Sequence, residues 1–272
     1  MAQVAEHLPG EQLAADRMPG HWLLARLGKK VLRPGGRELT AKLLGALDIG
    51  SSDRVVELAP GLGSTTEMVL GRNPHSYVGV DRDPVSAERV GHILAGPRRE
   101  VRNASAADTG LDGSSATVAF GEAYLTMQPD SQKRGIVAEL ARIVEPGGRV
   151  GMHEVAFKAD SGEADRARVK AQLQGSIKVN VSPLSLADWQ ALFTEAGFDV
   201  DQSFTAPLHL LEPKRLIADE GPIGAARFAS RVLRDGDARS RVLAMRRAMS
   251  GNSDQLEACA FTAVRRAEPT SA

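Results

Sequence analysis

The chain has 272 residues, room for one large α/β domain or one domain with an added lid, and carries 34 Lys and Arg against 34 Asp and Glu. Zero net charge excludes the basic excess of a protein that lives on nucleic-acid phosphates, and the single cysteine, Cys259, excludes an internal disulfide framework or a Cys-rich zinc site. No apolar run approaches a membrane span and no basic segment leads into an apolar one at the N-terminus, so a soluble cytoplasmic protein is expected.

Residues 1–36 read as an irregular arm, broken by proline and glycine at 9–10, 19–20 and 34–36. "LTAKLLGALDIG" then sets Leu39, Leu43, Leu44 and Leu47 on one helical face. "RVVEL" is a short buried strand, and "STTEMVL" opens a helix with Ser64 as its expected N-cap. "SYVGVD" is a second strand. "DPVSAERVGHILAG" starts a helix well, with Asp83 as cap and Pro84 at the first helical position. "ATVAF" is a later strand. "PDSQKRGIVAELARIVEPGG" is a helix with Ile136, Leu140, Ile143 and Val144 facing in, stopped by Pro146 and two glycines. "RVGMHEVAF" is a strand, and "SLADWQALFTEAGF" carries a capping box, Ser185 with Asp188, and ends at Gly197. Residues 213–250 are helical and Arg-rich, with Phe228, Val232, Leu233, Val242, Leu243 and Met245 expected to pack inward. "QLEACAFTAVRRA" returns as a final strand, expected antiparallel at the sheet edge, and the "EPTSA" tail is expected to be disordered. Strands alternating with helices from residue 37 onward specify an open, mostly parallel, doubly wound sheet.

Ligands of such a sheet sit at the carboxyl ends of the strands. In "VVELAPGLGSTTEMVL" a strand ends on Glu57 and a loop follows with glycines at 61 and 63, which let a ligand approach the backbone. Asp81 closes the next strand eighteen residues after Gly63, the offset of a carboxylate that grips ribose hydroxyls. The loop and Asp81 together argue for an adenosine-containing ligand. A dinucleotide fingerprint would place a third glycine where Thr66 stands. A Tyr-x-x-x-Lys pair is missing, because Asp81 and Gln128 lie four residues after Tyr77 and Tyr124. No phosphate-binding G-x-x-x-x-G-K-[ST] loop occurs.

"ELAPGLG" resembles the first motif of the class I S-adenosylmethionine-dependent methyltransferases. In the same order, "VGVDRDP", "NASAADTGL", "FGEAYLTM", "ARIVEPGGRV" and "LSLADWQALFTEAGF" are similar to the family's later segments, over roughly residues 35–205 plus the last strand. The small-molecule group that includes the ubiquinone/menaquinone-biosynthesis type (type 11) is the one resembled. The resemblance implies an α/β fold: a Rossmann-like, doubly wound, mostly parallel seven-stranded sheet whose last strand is antiparallel, plus helical lid segments. It implies S-adenosyl-L-methionine as cofactor and S-adenosyl-L-homocysteine as product. Glu57 would organise the loop and the methionine amino group. Ala59, Gly61 and Gly63 would lie against methionine and ribose. Asp81 would take the ribose hydroxyls, Arg82 would flank the adenine, and Ser105 and Ala106 would meet its edge. Relatives often carry Asp where Ser105 stands, and a hydroxyl can still hydrogen-bond an exocyclic amine. Gly121 would face the sulfonium.

Candidate catalytic residues come from the ends of the fourth and fifth strands: Glu122, Tyr124 and His153. His153 is the side chain best suited to take a proton near neutral pH, with a packed, hydrogen-bonded histidine as the alternative role. Adjacent His153 and Glu154 should face opposite sides of their strand. In the arm, Arg33 or the Gly35-Gly36 backbone could reach the donor's carboxylate, which adds Arg33 and Gly36 to the candidate cofactor residues. No metal-ligand spacing is present, and His7, His21, His75, His92 and His209 are scattered. The expected division is an arm over 1–36, a cofactor-binding core over 37–212, a helical lid insertion over 213–250, and the final strand and tail over 251–272. The expected partner is a small-molecule acceptor, with no nucleic acid and no integral membrane association, and the oligomeric state is left open, a homodimer among the options. Two alternatives stand beside methyl transfer: an NAD(P)-dependent oxidoreductase, and a non-catalytic subunit that keeps the fold for binding. Asp81→Ala is expected to cut donor affinity and leave stability nearly unchanged.

Overall fold

The computed structural model describes residues 8–267 of the chain, so the "EPTSA" segment lies outside the described residues. Short β-branched runs build β1 (Arg54–Leu58), β2 (Ser76–Asp81) and β4 (Ala116–Glu122), joined by the polar β3 (Arg99–Asn103) and the long β5 (Val144–Phe157). The two-residue β6 (Leu184–Ser185), then β7 (Phe198–Pro207) and β8 (Leu256–Arg265), follow. They join in one sheet of order β3-β2-β1-β4-β5-β8-β7, with β6 paired to the end of β5. Strands β1 to β5 pair in parallel, and β8 runs antiparallel to both of its neighbours.

The final strand is antiparallel, as expected, but it is not at the edge. β8 lies between β5 and β7, and its Ala258, Cys259, Ala260, Phe261 and Ala263 are all buried. The edge belongs to β7, which exposes Asp199, Asp201, Gln202 and Ser203 and ends at Pro207. Apolar residues on both faces suit an interior strand, and charges with a proline suit an edge.

Helices cover both faces. α2 (Gly36–Leu47) lays Leu39, Leu43, Leu44 and Leu47 on Val55, Val118, Phe120 and Ala260. α5 (Asp130–Ile143) and α7 (Leu186–Glu195) bring Ile136, Leu140, Trp189 and Phe193 to another apolar layer with Val150, Met152 and Phe261. Each such side chain contributes roughly 1.5–3 kcal/mol when fully buried. α7 opens on the expected capping box, Ser185 with Asp188. α4 (Pro84–Ile93) opens on the Asp83 carboxylate, which accepts from Ser86 N–H.

Other local expectations are corrected. α3 (Ser64–Leu70) is capped by Gly63 in the left-handed region, φ 78°, and Ser64 instead donates to the Lys30 carbonyl. α5 ends at Ile143, before Pro146, and Val144 already belongs to β5. The arm is not wholly irregular, since it holds the short helix α1 (Gly20–Arg26). α6 (Glu163–Ile177) and β3 carried no signal that was read, because α6 buries only Val169 and Leu173 and β3 is mostly polar.

α8 (Pro213–Arg234) and α9 (Gly236–Ser250) meet α1, and their Phe228, Val242 and Met245 pack with Leu23 and Leu24. Leu233 and Leu243, expected inside, are 68% and 44% exposed. Gly221 breaks α8 with a non-helical φ of 73° just before Pro222. Among the described residues no helix is long and apolar enough to cross a membrane.

Candidate active site

The loops at the carboxyl ends of β1, β2 and β4, together with the arm, enclose a cleft of about 690 Å³. The β1 loop is held open by backbone geometry. Ala59, at φ 54°, donates its N–H to Val80 O, and Gly61, at φ 56°, has space where a Cβ would be. A non-glycine residue held at positive φ is a strained conformation of the kind found around ligand sites.

Glu57, next to last in β1, is almost fully buried. Its Oε2 accepts from Tyr77 Oη at 2.7 Å and from Thr66 Oγ1 at 2.9 Å. Burial pushes its pKa up to about 7, against the pull of those two hydroxyls. Asp81 ends β2, also buried, and its carboxylate accepts from Gly61 N–H at 3.1 Å and Asp83 N–H at 2.9 Å. Burial raises its pKa, opposed by those backbone bonds. Asp81 therefore shapes the glycine loop as well as facing the cleft, which corrects the expectation that Asp81→Ala would leave stability nearly unchanged.

A second acidic node sits at the end of β4. Glu122 accepts from Thr40 Oγ1 at 2.6 Å and from Thr65 Oγ1 at 2.5 Å. Its Oε1 lies 2.6 Å from His153 Nδ1, and its Oε2 lies 3.5 Å from Arg33 Nε. The balance of these partners against burial brings the Glu122 pKa down to about 2. His153 is fully buried, with its Nε2 engaged by the Pro34 carbonyl oxygen. Glu154 points the other way, and its carboxylate accepts the N–H groups of Tyr124, Leu125 and Thr126.

Arg33 is 7% exposed and lines the cleft, yet its Nε and Nη2 find no hydrogen-bond partner within the protein. Buried guanidinium N–H groups that make no hydrogen bond are costly even beside an ionic partner.

Of the candidate residues, Glu57, Ala59, Gly61, Asp81 and Arg82 line the cleft. Ser105, Ala106, Arg33, Glu122 and Tyr124 line it as well. Four do not. Gly63 packs on Ile93, and a Cβ there would collide with it. Gly121 lies within β4 rather than beyond it, and the Tyr124 ring covers the space its side chain would need. Gly36 faces Asp219 and Arg215, and His153 lies behind Glu122. The Ser105 hydroxyl accepts from Ala107 N–H.

Sequence reasoning missed Thr40, Thr65 and Tyr77. It read Thr66 only as a missing glycine and His21 as scattered. A hydroxyl donor to a buried carboxylate has no spacing signature, because its partner comes from a distant element. A larger cleft of about 990 Å³ lies elsewhere, between Leu39 and Lys42 of α2 and Arg215 and Arg246 of α8 and α9. Among the described residues no cluster of three or more His, Cys, Asp or Glu could hold a metal ion.

Residues 55–148 match the model of a family described as a methyltransferase domain. An uncharacterized protein of Haemophilus influenzae (strain ATCC 51907 / DSM 11121 / KW20 / Rd) is 32% identical over 221 residues, covering 79% of this chain and 86% of that protein. A geranyl diphosphate C-methyltransferase from Streptomyces coelicolor A3(2), solved with Mg2+, geranyl diphosphate and S-adenosyl-L-homocysteine, superposes with a TM-score of 0.59 at 16% identity. That match covers 83% of this chain and 77% of the other. A Haemonchus contortus phosphoethanolamine N-methyltransferase, solved with phosphomonomethylethanolamine and S-adenosylhomocysteine, gives a TM-score of 0.68 at 13% identity, covering 94% of this chain and 59% of that one. With its motifs, sheet order and strand-end cleft, the chain belongs to the class I S-adenosylmethionine-dependent methyltransferases.

Proposed function

We propose that the cleft binds S-adenosylmethionine and directs its methyl group to a small-molecule acceptor. The observation that carries this reading is Arg33. Arg33 lines the same cleft as Glu57 and Asp81, and its buried Nε and Nη2 make no hydrogen bond in the protein, Nε having only the ionic contact to Glu122. A zwitterionic amino acid joined to a ribose needs that set: a cation for its carboxylate, one acid for its ammonium, another for its ribose hydroxyls. Arg33 would take the carboxylate, Glu57 the amino group and Asp81 the ribose. Arg82, Ser105 and Ala106 would border the adenine, and Ala59 and Gly61 would lie against the methionine and ribose. Bound there, the donor supplies an already activated methyl on a positive sulfonium, and leaves as the neutral thioether S-adenosylhomocysteine.

The protein's part in this reading is alignment and exclusion of water, which can lower a barrier by about 7–11 kcal/mol in favourable cases. General-base work is assigned to none of the three candidates. Glu122 is saturated by donors and held at about 2, His153 has both nitrogens engaged, and burial raises the Tyr124 phenol so that it keeps its proton. Glu122 and His153 instead position Arg33 and Pro34, and Tyr124 is a wall of the acceptor end. The arm up to residue 36 and the helices over 213–250 would form the lid. The small-molecule ligands of the two solved relatives support a small acceptor.

The test is calorimetric titration with S-adenosylmethionine, S-adenosylhomocysteine and NAD(H). Binding of both sulfur ligands with NAD(H) silent is the expected result. Silence from both, or binding of NAD(H), would overturn it in favour of the oxidoreductase or a non-catalytic role.

A further inference from the structure

The arm adds a side chain to the cleft that the donor reading above does not use. His21, second residue of α1, lines the cleft beside Trp22, with ring centroids 4.5 Å apart and planes tilted by 58°. The residue is half-buried, but its Nδ1 is shut off from solvent and has no hydrogen-bond partner in the protein. Burial, with help from the Arg82 guanidinium and against the pull of Asp83, brings the His21 pKa down to about 4. At neutral pH the ring is uncharged, with one nitrogen to donate and one to accept.

An orphaned buried polar atom costs about 1–3 kcal/mol. In a side chain that lines a ligand cleft, that loss is recovered when the ring turns the atom toward a partner on the ligand. The position says which part of the ligand. Arg82 and Asp83 directly follow Asp81 and act on His21, which puts His21 at the wall where ribose and adenine are placed.

We infer that His21 is a ligand-binding residue whose Nδ1 hydrogen-bonds the adenosine half of the donor, with Trp22 beside it closing the arm over that half. This rests on the donor assignment, and the experiment separates the two. Wild type, His21→Ala and His21→Asn are titrated with S-adenosylhomocysteine and, by displacement, with methylthioadenosine, which lacks the amino-acid end. Asn places an amide close to where Nδ1 sits. The expected result is an approximately tenfold loss for His21→Ala on both ligands, equal within about twofold, and recovery of most of it by His21→Asn. Ligand-free melting curves establish that both variants fold. Unchanged affinity in a folded His21→Ala overturns the inference, as does a loss confined to S-adenosylhomocysteine or an Asn variant no better than Ala. Wild type that binds neither ligand overturns the donor assignment and this inference together.

Discussion

His153 Nδ1 lies 2.6 Å from Glu122 Oε1, while its Nε2 meets the carbonyl oxygen of Pro34 in the arm. A histidine within β5 thus ties the carboxylate at the end of β4 to the segment that carries Arg33. The imidazole has an acceptor on each side and no nitrogen facing the cleft, so its contribution is to geometry.

Removing a buried side chain that hydrogen-bonds a carboxylate costs about 1–3 kcal/mol. His153→Ala should lose that much in urea unfolding. A double-mutant cycle with Glu122→Ala should show coupling of about 1–3 kcal/mol. The pH dependence has a definite sign. Glu122 is depressed from 4.5 to about 2, so its stabilisation is fully present above pH 4.5 and is lost as pH falls through 2. Acid unfolding of Glu122→Ala should be flatter across that window.

Glu57 behaves in the opposite sense. Its pKa is raised to about 7, so its contribution to stability is complete below pH 4.5 and is lost as pH rises through 7. A cationic amino group placed against it would restore the carboxylate. Donor binding should therefore release a proton near pH 7, and affinity should fall as pH drops below 7, by up to tenfold per unit. Calorimetry in buffers of different ionisation enthalpy reads the proton directly. Glu57→Gln should bind more weakly and lose the pH dependence.

These groups show what the sequence could and could not disclose. Glu57, Asp81 and the glycine loop were legible because adjacent strands and a tight turn are local features with fixed offsets. The interior place of β8 was signalled by Ala258 to Phe261, apolar on both faces, beside the polar β7, but the expectation set it at the edge. Thr40, Thr65 and Pro34 were not legible, since each meets the β4–β5 end from far along the chain. Thr66 was read rightly as the glycine a dinucleotide loop lacks, but the bond of its hydroxyl to Glu57 had no local signature. The arm hid its contributions because α1 has only seven residues, too few for a period to show.

Asp81 separates loop support from ligand binding. Asp81→Ala strips the acceptor from the Gly61 and Asp83 N–H groups, and should cost about 1–2 kcal/mol of stability as well as donor affinity. Asp81→Asn keeps one acceptor oxygen and removes the charge. It should be the more stable of the two in thermal melts while still binding S-adenosylhomocysteine at least tenfold more weakly than wild type. Equal affinity of Asp81→Asn and wild type would remove the ribose from this residue.

The arm is held at its other end by Lys29, which is fully buried with its Nζ 3.3 Å from Asp219 and 3.7 Å from Glu220. The same two acids hold backbone on either side. Glu220 Oε1 accepts the N–H groups of Lys30 and Val31 at 2.9 Å each, and Asp219 Oδ1 accepts that of Arg37. Arg215 Nε stands 3.5 Å from Asp219. The partners are therefore unequal. Without Lys29, Asp219 still has Arg215 and a backbone donor. Without Asp219, the buried ammonium keeps only the longer contact to Glu220, and burial already lowers its pKa. Asp219→Ala should cost about 3–5 kcal/mol and Lys29→Met clearly less, by urea unfolding. Because residues 30–33 carry Lys30, Leu32 and Arg33 into the cleft, Asp219→Ala should also weaken S-adenosylhomocysteine binding under conditions where it remains folded. Equal stability losses, or unchanged affinity, would mean that the arm is held by its apolar packing on α8 and α9 and that this ionic node does not set its position.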